Sequence, residues 1–532
     1  MLRAADLPLQ YNAVEILERN LRTRANKRAL LGPERDMTFA EVAAEVNRVG
    51  GALRGLGVRA GDTVGILCPD GAEWVATFFA VLKIGGVALG MNTLLKPDEQ
   101  GFVLRDSRVR VLVTDRALLP VLEPIRDALA SLNHVVVVGG GGRAGDLEYA
   151  SWMAGEPDVL EGEPTHRDDI CTLNYSSGTT GEPKGIPHAH KDLALSAALV
   201  GVNTLGVREG DRTFAAAKLF FTFGTGGNLI FPWSVGATIV LFPGSPRVPT
   251  DVLAIIDRFQ PTVHYNAPTG YAAMLAVPDF TTRYHLGSLR LCVSAGEALP
   301  APIWHAWKGA TGLEIVDGLG STENYHMFIA TRPDDMRPGS TGKPIAGYEI
   351  RIVDDAGAEV PIDEIGNLMV RGETASLCYL RRYEASRRTF IGEWLRTGDK
   401  YSRDADGYYW YAGRSDDMLK VGGVWVSPLE VESTLLTHPA VLECAVVGHR
   451  DAAGLVKPKA FVVLKVGHAP EESLAQELIA HCRSRIAEYK RPRWVELCRE
   501  LPKTATGKIQ RFRLRAEATA RETGGAGPEA AE

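Results

Sequence analysis

The chain has 532 residues, 45% of them hydrophobic, 23% charged and 8% aromatic, with a formal net charge of -6. That length exceeds what one hydrophobic core supports, so two or more domains are expected, and the composition is that of a soluble globular protein. The acidic balance argues against an electrostatic nucleic-acid binder, and seven scattered cysteines without a Cys-x-x-Cys pair suggest neither a zinc site nor a disulfide framework. The N-terminal stretch carries acids early and lacks a long apolar run, so it does not read as a secretory signal. Residues 74–89 come nearest to a bilayer span, but Lys83, Gly85 and Gly86 interrupt them. A cytoplasmic protein with no membrane and no nucleic-acid partner is the expectation.

In chain order, residues 38–56 carry an amphipathic helical pattern, 62–67 a strand, 73–84 a helix and 111–114 a strand. Short β runs separated by helical patterns imply βα units and largely parallel sheets. Residues 139–142 are four glycines, a loop by composition. A strand over 170–175 leads into Tyr175-Ser176-Ser177-Gly178-Thr179-Thr180-Gly181-Glu182-Pro183-Lys184-Gly185, a segment read as neither regular helix nor strand. Its glycines admit close backbone approach to a ligand, and its amides, hydroxyls and Lys184 are donors suited to a polyphosphate. It is not the mononucleotide P-loop, because Gly-x-x-x-x-Gly-Lys-Ser/Thr is absent. A helix is expected from Lys191, and the βα rhythm returns over 238–241, 252–259, 263–267 and 289–294.

From about residue 340 the texture changes to short strands (348–354, 366–371, 407–411) with turn signals at 355–357 and 406–407, suggesting a β-rich subdomain. After Gly413-Arg414-Ser415-Asp416-Asp417 a second alternation begins: 428–436 helical, 441–448 and 459–464 strands, 472–486 helical. The expected fold is therefore α/β (multidomain α+β). A large N-terminal domain, 1–415, holds two αβ-layered subdomains plus the β-rich one. A small mobile C-terminal α/β domain covers 416–520, and a disordered tail 521–532.

Four further clusters carry chemistry. Ser294-Ala295-Gly296-Glu297-Ala298 ends an apolar strand, where ligands of open α/β sheets bind. Asp317-Gly318-Leu319-Gly320-Ser321-Thr322-Glu323 exposes small residues and presents one carboxylate; Glu323 beside phosphates would hold Mg²⁺ through one carboxylate and several waters. An isolated Thr-Glu is more often a plain helix N-terminus. Third come Thr397-Gly398-Asp399 and Arg414, where Asp399 could accept from ribose hydroxyls and Arg414 reach the sugar or α-phosphate. Last is Pro502-Lys503-Thr504-Ala505-Thr506-Gly507-Lys508, a lysine on a short Gly-Thr turn.

Together these clusters resemble the adenylate-forming superfamily of acyl- and aryl-CoA ligases, peptide-synthetase adenylation domains and luciferases, over nearly the whole chain. Three segments are most similar to benzoate-CoA ligases: Ala217-Lys218-Leu219-Phe220-Phe221, the stretch from Leu291 through Pro300, and Asp416-Asp417-Met418-Leu419-Lys420-Val421. Leu319 stands where many relatives stack a tyrosine on adenine, and Phe221 where many have a histidine gate. The resemblance implies adenylation of a carboxylate by ATP, then displacement of AMP by the CoA thiol, with ATP, Mg²⁺ and CoA as cosubstrates. It further implies Lys508, Thr322 and Glu323 as catalytic residues, Glu323 also holding the metal. The nucleotide would lie among Ser176, Ser177, Gly178, Thr179, Thr180, Gly181, Lys184, Gly296, Glu297, Ala298, Asp317, Gly318, Leu319, Thr322, Asp399 and Arg414. Asp416 would be the hinge, and Lys420, Gly422, Gly423 and Trp425 would line the pantetheine tunnel.

The acyl pocket is expected among Phe221, Phe223, Ala295, His326 and Met327, with His326 and Met327 on one face of a helix opening at Glu323. It lacks the aspartate that amino-acid-activating relatives use, so an amino-acid substrate is disfavoured. A compact aromatic acid such as benzoate is expected, with hydroxy- or aminobenzoate, furoate and cyclohexanecarboxylate as alternatives. A free-standing loader of a carrier protein and a non-catalytic nucleotide binder are the rival readings; a homodimer is left open. His188 and His190 suggest a metal only on their own, a structural role being the plainer reading, and the basic run 490–493 reads as a solvated face or a CoA-phosphate contact.

Overall fold

The computed structural model describes residues 2–176, 183–415, 417–421, 424–451, 455–503 and 509–520. Among these, the βα units build two large sheets. The first runs Leu147–Glu148, His134–Val138, Val111–Asp115, Thr63–Leu67, Val87–Gly90, β1 (Ile170–Ser176) and β2 (Lys184–Ala189), parallel except for the last pair. Helix α1 (His190–Ser196) follows β2 directly.

In the β1–β2 pair Tyr175 faces Gly185 and Ser176 faces Lys184. The stretch expected to be irregular over 175–185 is therefore strand at both ends. Pairing overrides local composition here, and glycine has a specific use: a Cβ at Gly185 would meet the Tyr175 ring at 3.0 Å.

The second sheet is built on β3 (Arg212–Ala215), β4 (Val263–Asn266), β5 (Leu291–Ala295) and β6 (Ile315–Gly320), parallel neighbours in that order. Antiparallel β7 (Met327–Ala330) and Lys343–Pro344 extend it past β6. On the other side it continues through Thr238–Val240, Arg28–Leu31 and Met37–Thr38.

The helix Ala72–Lys83 is buried on nearly every face, as a helix apolar all round must be. Its Phe79 stacks on Trp233 at 5.3 Å, and Phe39 meets the same indole edge-on at 5.6 Å. The apolar run that came nearest to a bilayer span is thus an interior helix and its following strand. Its one charge, Lys83, is buried with its ammonium held by Asn47 at 2.6 Å and by Glu18. Among the described residues no helix is long and apolar enough to cross a membrane.

An antiparallel sheet of Tyr348–Val353, Gly366–Gly372, β8 (Trp394–Arg403), Phe390–Ile391 and β9 (Tyr409–Arg414) follows. The Asp406-Gly407 signal lies in the β8–β9 turn, with Gly407 at φ 83°. The C-terminal part has a hairpin (Leu419–Val421, Val424–Val426) and a sheet of Val441–Arg450, Val456–Leu464 and Trp494–Cys498. Helices Pro428–Leu436 and Glu472–Arg483 help to close its own core around Val431, Leu435, Val446, Val462 and Leu478.

Candidate active site

Parallel strands β5 and β6 run in register, Ser294 beside Asp317 and Ala295 beside Gly318. Gly296, at φ 93°, turns the chain away after β5, and Glu297 and Ala298 are half-buried in that turn. Two β6 glycines are required by close packing: a Cβ on Gly318 would stand 1.9 Å from Met327 Sδ, and one on Gly320 2.7 Å from the His326 carbonyl oxygen. Leu319 between them is half-buried. Asp317 is only 6% exposed. Burial pushes its carboxyl up to about 7, opposed by the nearby Ser294 hydroxyl and the Leu299 and Gly318 amides. Its Oδ1 still lacks a hydrogen bond of normal geometry, an acceptor set for an incoming donor.

The segment after β6 departs from expectation. In place of a helix opening at Glu323, Thr322–Asn324 form a single 3-10 turn, with the Ser321 hydroxyl accepting from the Asn324 amide at 3.3 Å. Tyr325 then takes φ 67°, ψ -44°, and the His326 amide donates to the Asn324 carbonyl at 2.8 Å. This is a γ-turn of the strained, positive-φ sense, which costs on the order of 1–3 kcal/mol and persists only where the surroundings enforce it. The β-prone run Met327-Phe328-Ile329-Ala330 pairs with β6 instead of propagating a helix. His326 packs with Phe223 and Phe231, while Met327 fills the space over Gly318. They do not share a helix face.

Glu323 is held from behind. Tyr379 donates its hydroxyl to Oε1 at 2.7 Å, and the Ser376 amide donates to the Glu323 carbonyl at 2.7 Å. Lys184 lies over the Tyr379 ring, its Nζ 4.9 Å from the centroid. Arg414, at the end of β9, donates to Asp399 Oδ1 and to the Thr397 carbonyl, both at 3.1 Å. The Asp399 carboxylate raises the Arg414 pKa, against the cost of burial, and the guanidinium Nε is buried without a partner. Among the described residues no three or more His, Cys, Asp or Glu side chains gather to hold a metal. A single half-buried carboxylate with one oxygen already used fits an ion bound mainly by phosphate and water.

The acyl-side residues form an aromatic nest. Phe223 meets Tyr265 edge-on at 5.8 Å and His326 at 5.5 Å; Phe231 meets His326 at 4.6 Å. Gly226 makes the room, since a Cβ there would lie 2.5 Å from the His326 ring. Phe221 is half-buried at the start of the short helix Thr222–Thr225, packed on Phe220 at 4.5 Å, and Ala295 is buried. His326 is 3% exposed and neither ring nitrogen makes a hydrogen bond of normal geometry. Burial drives its pKa down to about 3, so the ring is neutral, although the nearby Phe223 backbone pulls slightly the other way. The Tyr265 hydroxyl is likewise buried without a partner.

Thus Ser176, Lys184, Phe221, Phe223, Ala295, Gly296, Glu297, Ala298, Asp317, Gly318, Leu319, Thr322, Glu323, His326, Met327, Asp399 and Arg414 lie among the described residues. Ser177, Gly178, Thr179, Thr180, Gly181, Asp416, Gly422, Gly423 and Lys508 lie outside the described residues, as do the side chains of Lys420 and Trp425. Two residues that touch the site escape a reading of the sequence: Tyr379, bonded to Glu323, and Phe231, packed on His326. Tyr379 stands 56 residues from Glu323, and no local pattern ties the two together.

A family model for AMP-binding enzymes matches residues 17–380, and one for the AMP-binding enzyme C-terminal domain matches 430–508. The chain belongs to the AMP-binding enzyme family. It is an AMP-forming acid–thiol ligase, and the cosubstrates of this family's ligases are ATP, with Mg²⁺, and CoA. It is 46% identical over 516 residues to a benzoate–CoA ligase of Thauera aromatica, covering 96% of this chain and 97% of that one. A crystal structure of the anthranilate CoA ligase AuaEII with anthranoyl-AMP superposes with a TM-score of 0.96 at 61% identity, over 98% of this chain and all of the other. A benzoate CoA ligase from Burkholderia xenovorans LB400 gives a TM-score of 0.88 at 40% identity, over 95% of this chain and all of that one.

Proposed function

We propose that this AMP-binding enzyme is an aryl-CoA ligase whose preferred acid is 2-aminobenzoate, with benzoate a weaker substrate. The observation that carries the choice is His326, a neutral imidazole with two unsatisfied nitrogens set into an apolar aromatic nest. An unsubstituted phenyl ring would leave those nitrogens buried and unpaired, which costs free energy. An amino group on the ring donates to one of them. The likeness to a ligase solved with anthranoyl-AMP supports the ortho position. Aminobenzoate, one of the alternatives drawn from the sequence, thus ranks above benzoate within the same class of small aromatic acids.

In the first half-reaction a carboxylate oxygen attacks the α-phosphorus of ATP, and the bond to the bridging oxygen of pyrophosphate breaks. Two anions must meet, so the chain's task is to place charge and donors rather than to move protons. Thr322 donates its hydroxyl to the α-phosphate, Lys508 bridges that phosphate and the carboxylate, and the 177–182 segment with Ser176 and Lys184 holds the departing pyrophosphate. Glu323 would hold Mg²⁺, whose charge offsets that of the triphosphate when bound. Asp317 Oδ1 accepts from the adenine amino group. Gly296, Glu297, Ala298, Gly318 and Leu319 flank the base, and Asp399 with Arg414 addresses the ribose.

In the second half-reaction the CoA sulfur attacks the acyl carbon and the carbon–oxygen bond to AMP breaks. The small domain, from residue 416, turns about Asp416 to remove Lys508 and to bring the loop carrying Lys420, Gly422, Gly423 and Trp425 to the pantetheine arm. Seven cysteines with no expected disulfide framework fit a cytoplasmic setting.

The test is thioester formation from CoA with benzoate, 2-, 3- and 4-aminobenzoate and 2-hydroxybenzoate. One hydrogen bond in a dry site predicts kcat/KM for 2-aminobenzoate about tenfold above benzoate. His326→Phe should bring the two within about twofold. Benzoate exceeding 2-aminobenzoate in the unaltered enzyme would overturn the assignment.

A further inference from the structure

Behind the Thr322–Glu323 turn lies a buried pair that the reaction as described does not use. His188 is the penultimate residue of β2 and is 0% exposed; Asp192, in the first turn of α1, is 3% exposed. His188 Nε2 lies 2.7 Å from the Thr322 carbonyl oxygen, and Nδ1 lies 3.0 Å from Asp192 Oδ2, which also accepts from the Ala189 amide at 2.9 Å. A carbonyl can only accept, so Nε2 must carry the proton in that bond. The same imidazole meets the ring of Tyr325, the residue in the strained γ-turn, in a T-shaped contact with 5.3 Å between centroids. The neighbouring His190 takes no part: its Nδ1 accepts from the Ala13 amide at 3.0 Å. With both His188 nitrogens engaged, no metal is held by the two histidines.

We propose that the His188–Asp192 pair is a positioning device for adenylation. It fixes the Thr322 carbonyl and the Tyr325 ring, and so sets the Thr322 hydroxyl and the Glu323 carboxylate where the triphosphate and its ion must meet them. The proposal rests on the roles given above to Thr322 and Glu323. Thr322 and His188 are 134 residues apart, so the pair ties the second sheet's catalytic turn to the hairpin that carries the phosphate-loop segment. The strained backbone then has a stated cause: the turn is held from outside, by a hydrogen bond and a ring contact, against its own preference.

Two amide replacements separate positioning from simple support. The glutamine amide nitrogen falls near the place of Nε2 and can still donate to Thr322; the asparagine nitrogen falls near Nδ1 and cannot reach it. In single-turnover formation of aryl-adenylate from ATP and 2-aminobenzoate, His188→Asn should slow the step about thirtyfold, the effect of leaving a buried carbonyl unpaired. Apparent affinity for the acid should stay within about twofold, and His188→Gln should restore the rate to within about threefold of the unaltered enzyme. Asp192→Ala, which keeps the ring but removes its brace, should slow the step about tenfold and supplies the reading if His188→Asn does not fold. Equal loss in the Asn and Gln variants, an effect confined to acid affinity, or a normal rate in Asp192→Ala would overturn the proposal. Absence of adenylate in the unaltered enzyme would instead refute the assigned function.

Discussion

Tyr379→Phe isolates one hydrogen bond at the heart of the site. The hydroxyl donates to Glu323 Oε1 at 2.7 Å, and the ring lies under Lys184 with 4.9 Å between Nζ and centroid. Phenylalanine keeps the ring and removes only the donor. A hydrogen bond to a charged acceptor contributes about 1.5–3 kcal/mol, and each 1.4 kcal/mol is about tenfold in rate or affinity. If Glu323 holds the ion, the variant should need roughly 10- to 100-fold more Mg²⁺ for half-maximal adenylation, with little change in acid affinity. Tyr379→Leu, which also removes the face beneath Lys184, should lose about threefold more, since such a cation–ring contact is worth about 0.5–1 kcal/mol. The assay is pyrophosphate release without CoA across a Mg²⁺ titration. A Tyr379→Phe enzyme with the Mg²⁺ dependence of the unaltered protein would refute the reasoning that Tyr379 sets the Glu323 carboxylate.

Gly318→Ala would place a Cβ 1.9 Å from Met327 Sδ; overpacking of this kind costs about 1–3 kcal/mol, so Tm and adenylation should both fall, and Met327→Ala added to it should recover Tm. An unchanged Tm in the single variant would show that the β6–β7 contact is softer than it looks. Asp317 titrates at about 7 in the fold against an ordinary 3.8. Between those values the folded chain keeps a proton that the unfolded chain has lost, so this group's contribution to stability declines as pH rises from about 4 to about 7 and is level above. Asp317→Asn should therefore gain stability relative to the unaltered protein across that window, and a constant difference in Tm would contradict the burial argument. Asp416→Pro should slow thioester formation far more than adenylate formation in rapid-quench measurements, and equal losses would remove Asp416 from the hinge role.

The sheet rhythm was legible because period and punctuation are local properties. Residues 428–436 read as helical and Pro428–Leu436 is a helix; 441–448 read as strand and Val441–Arg450 is one. What could not be read is what depends on distant partners. Lys184 and Gly185 look irregular among glycines and hydroxyls, yet pairing with β1 makes them strand. The segment after Glu323 has helical spacing at His326 and Met327, but Tyr325 is forced to positive φ and the chain enters β7 instead. Tyr379 and Asp192 carry no motif of their own; each is recognised only by what it touches. His188 stood out in the sequence as half of a histidine pair, yet its ring nitrogens meet an aspartate four residues on and the Thr322 carbonyl in the turn after β6.

The central claim is that the acid is activated as an adenylate, and the fate of its oxygen tests this directly. With 2-aminobenzoate labelled with ¹⁸O in both carboxylate positions, ATP and CoA, the attacking oxygen should stay with phosphorus when the sulfur takes the acyl group. Mass spectrometry should then find one ¹⁸O in AMP and one in the thioester, with unlabelled pyrophosphate. Label in inorganic phosphate, or thioester formed without labelled AMP, would contradict the account.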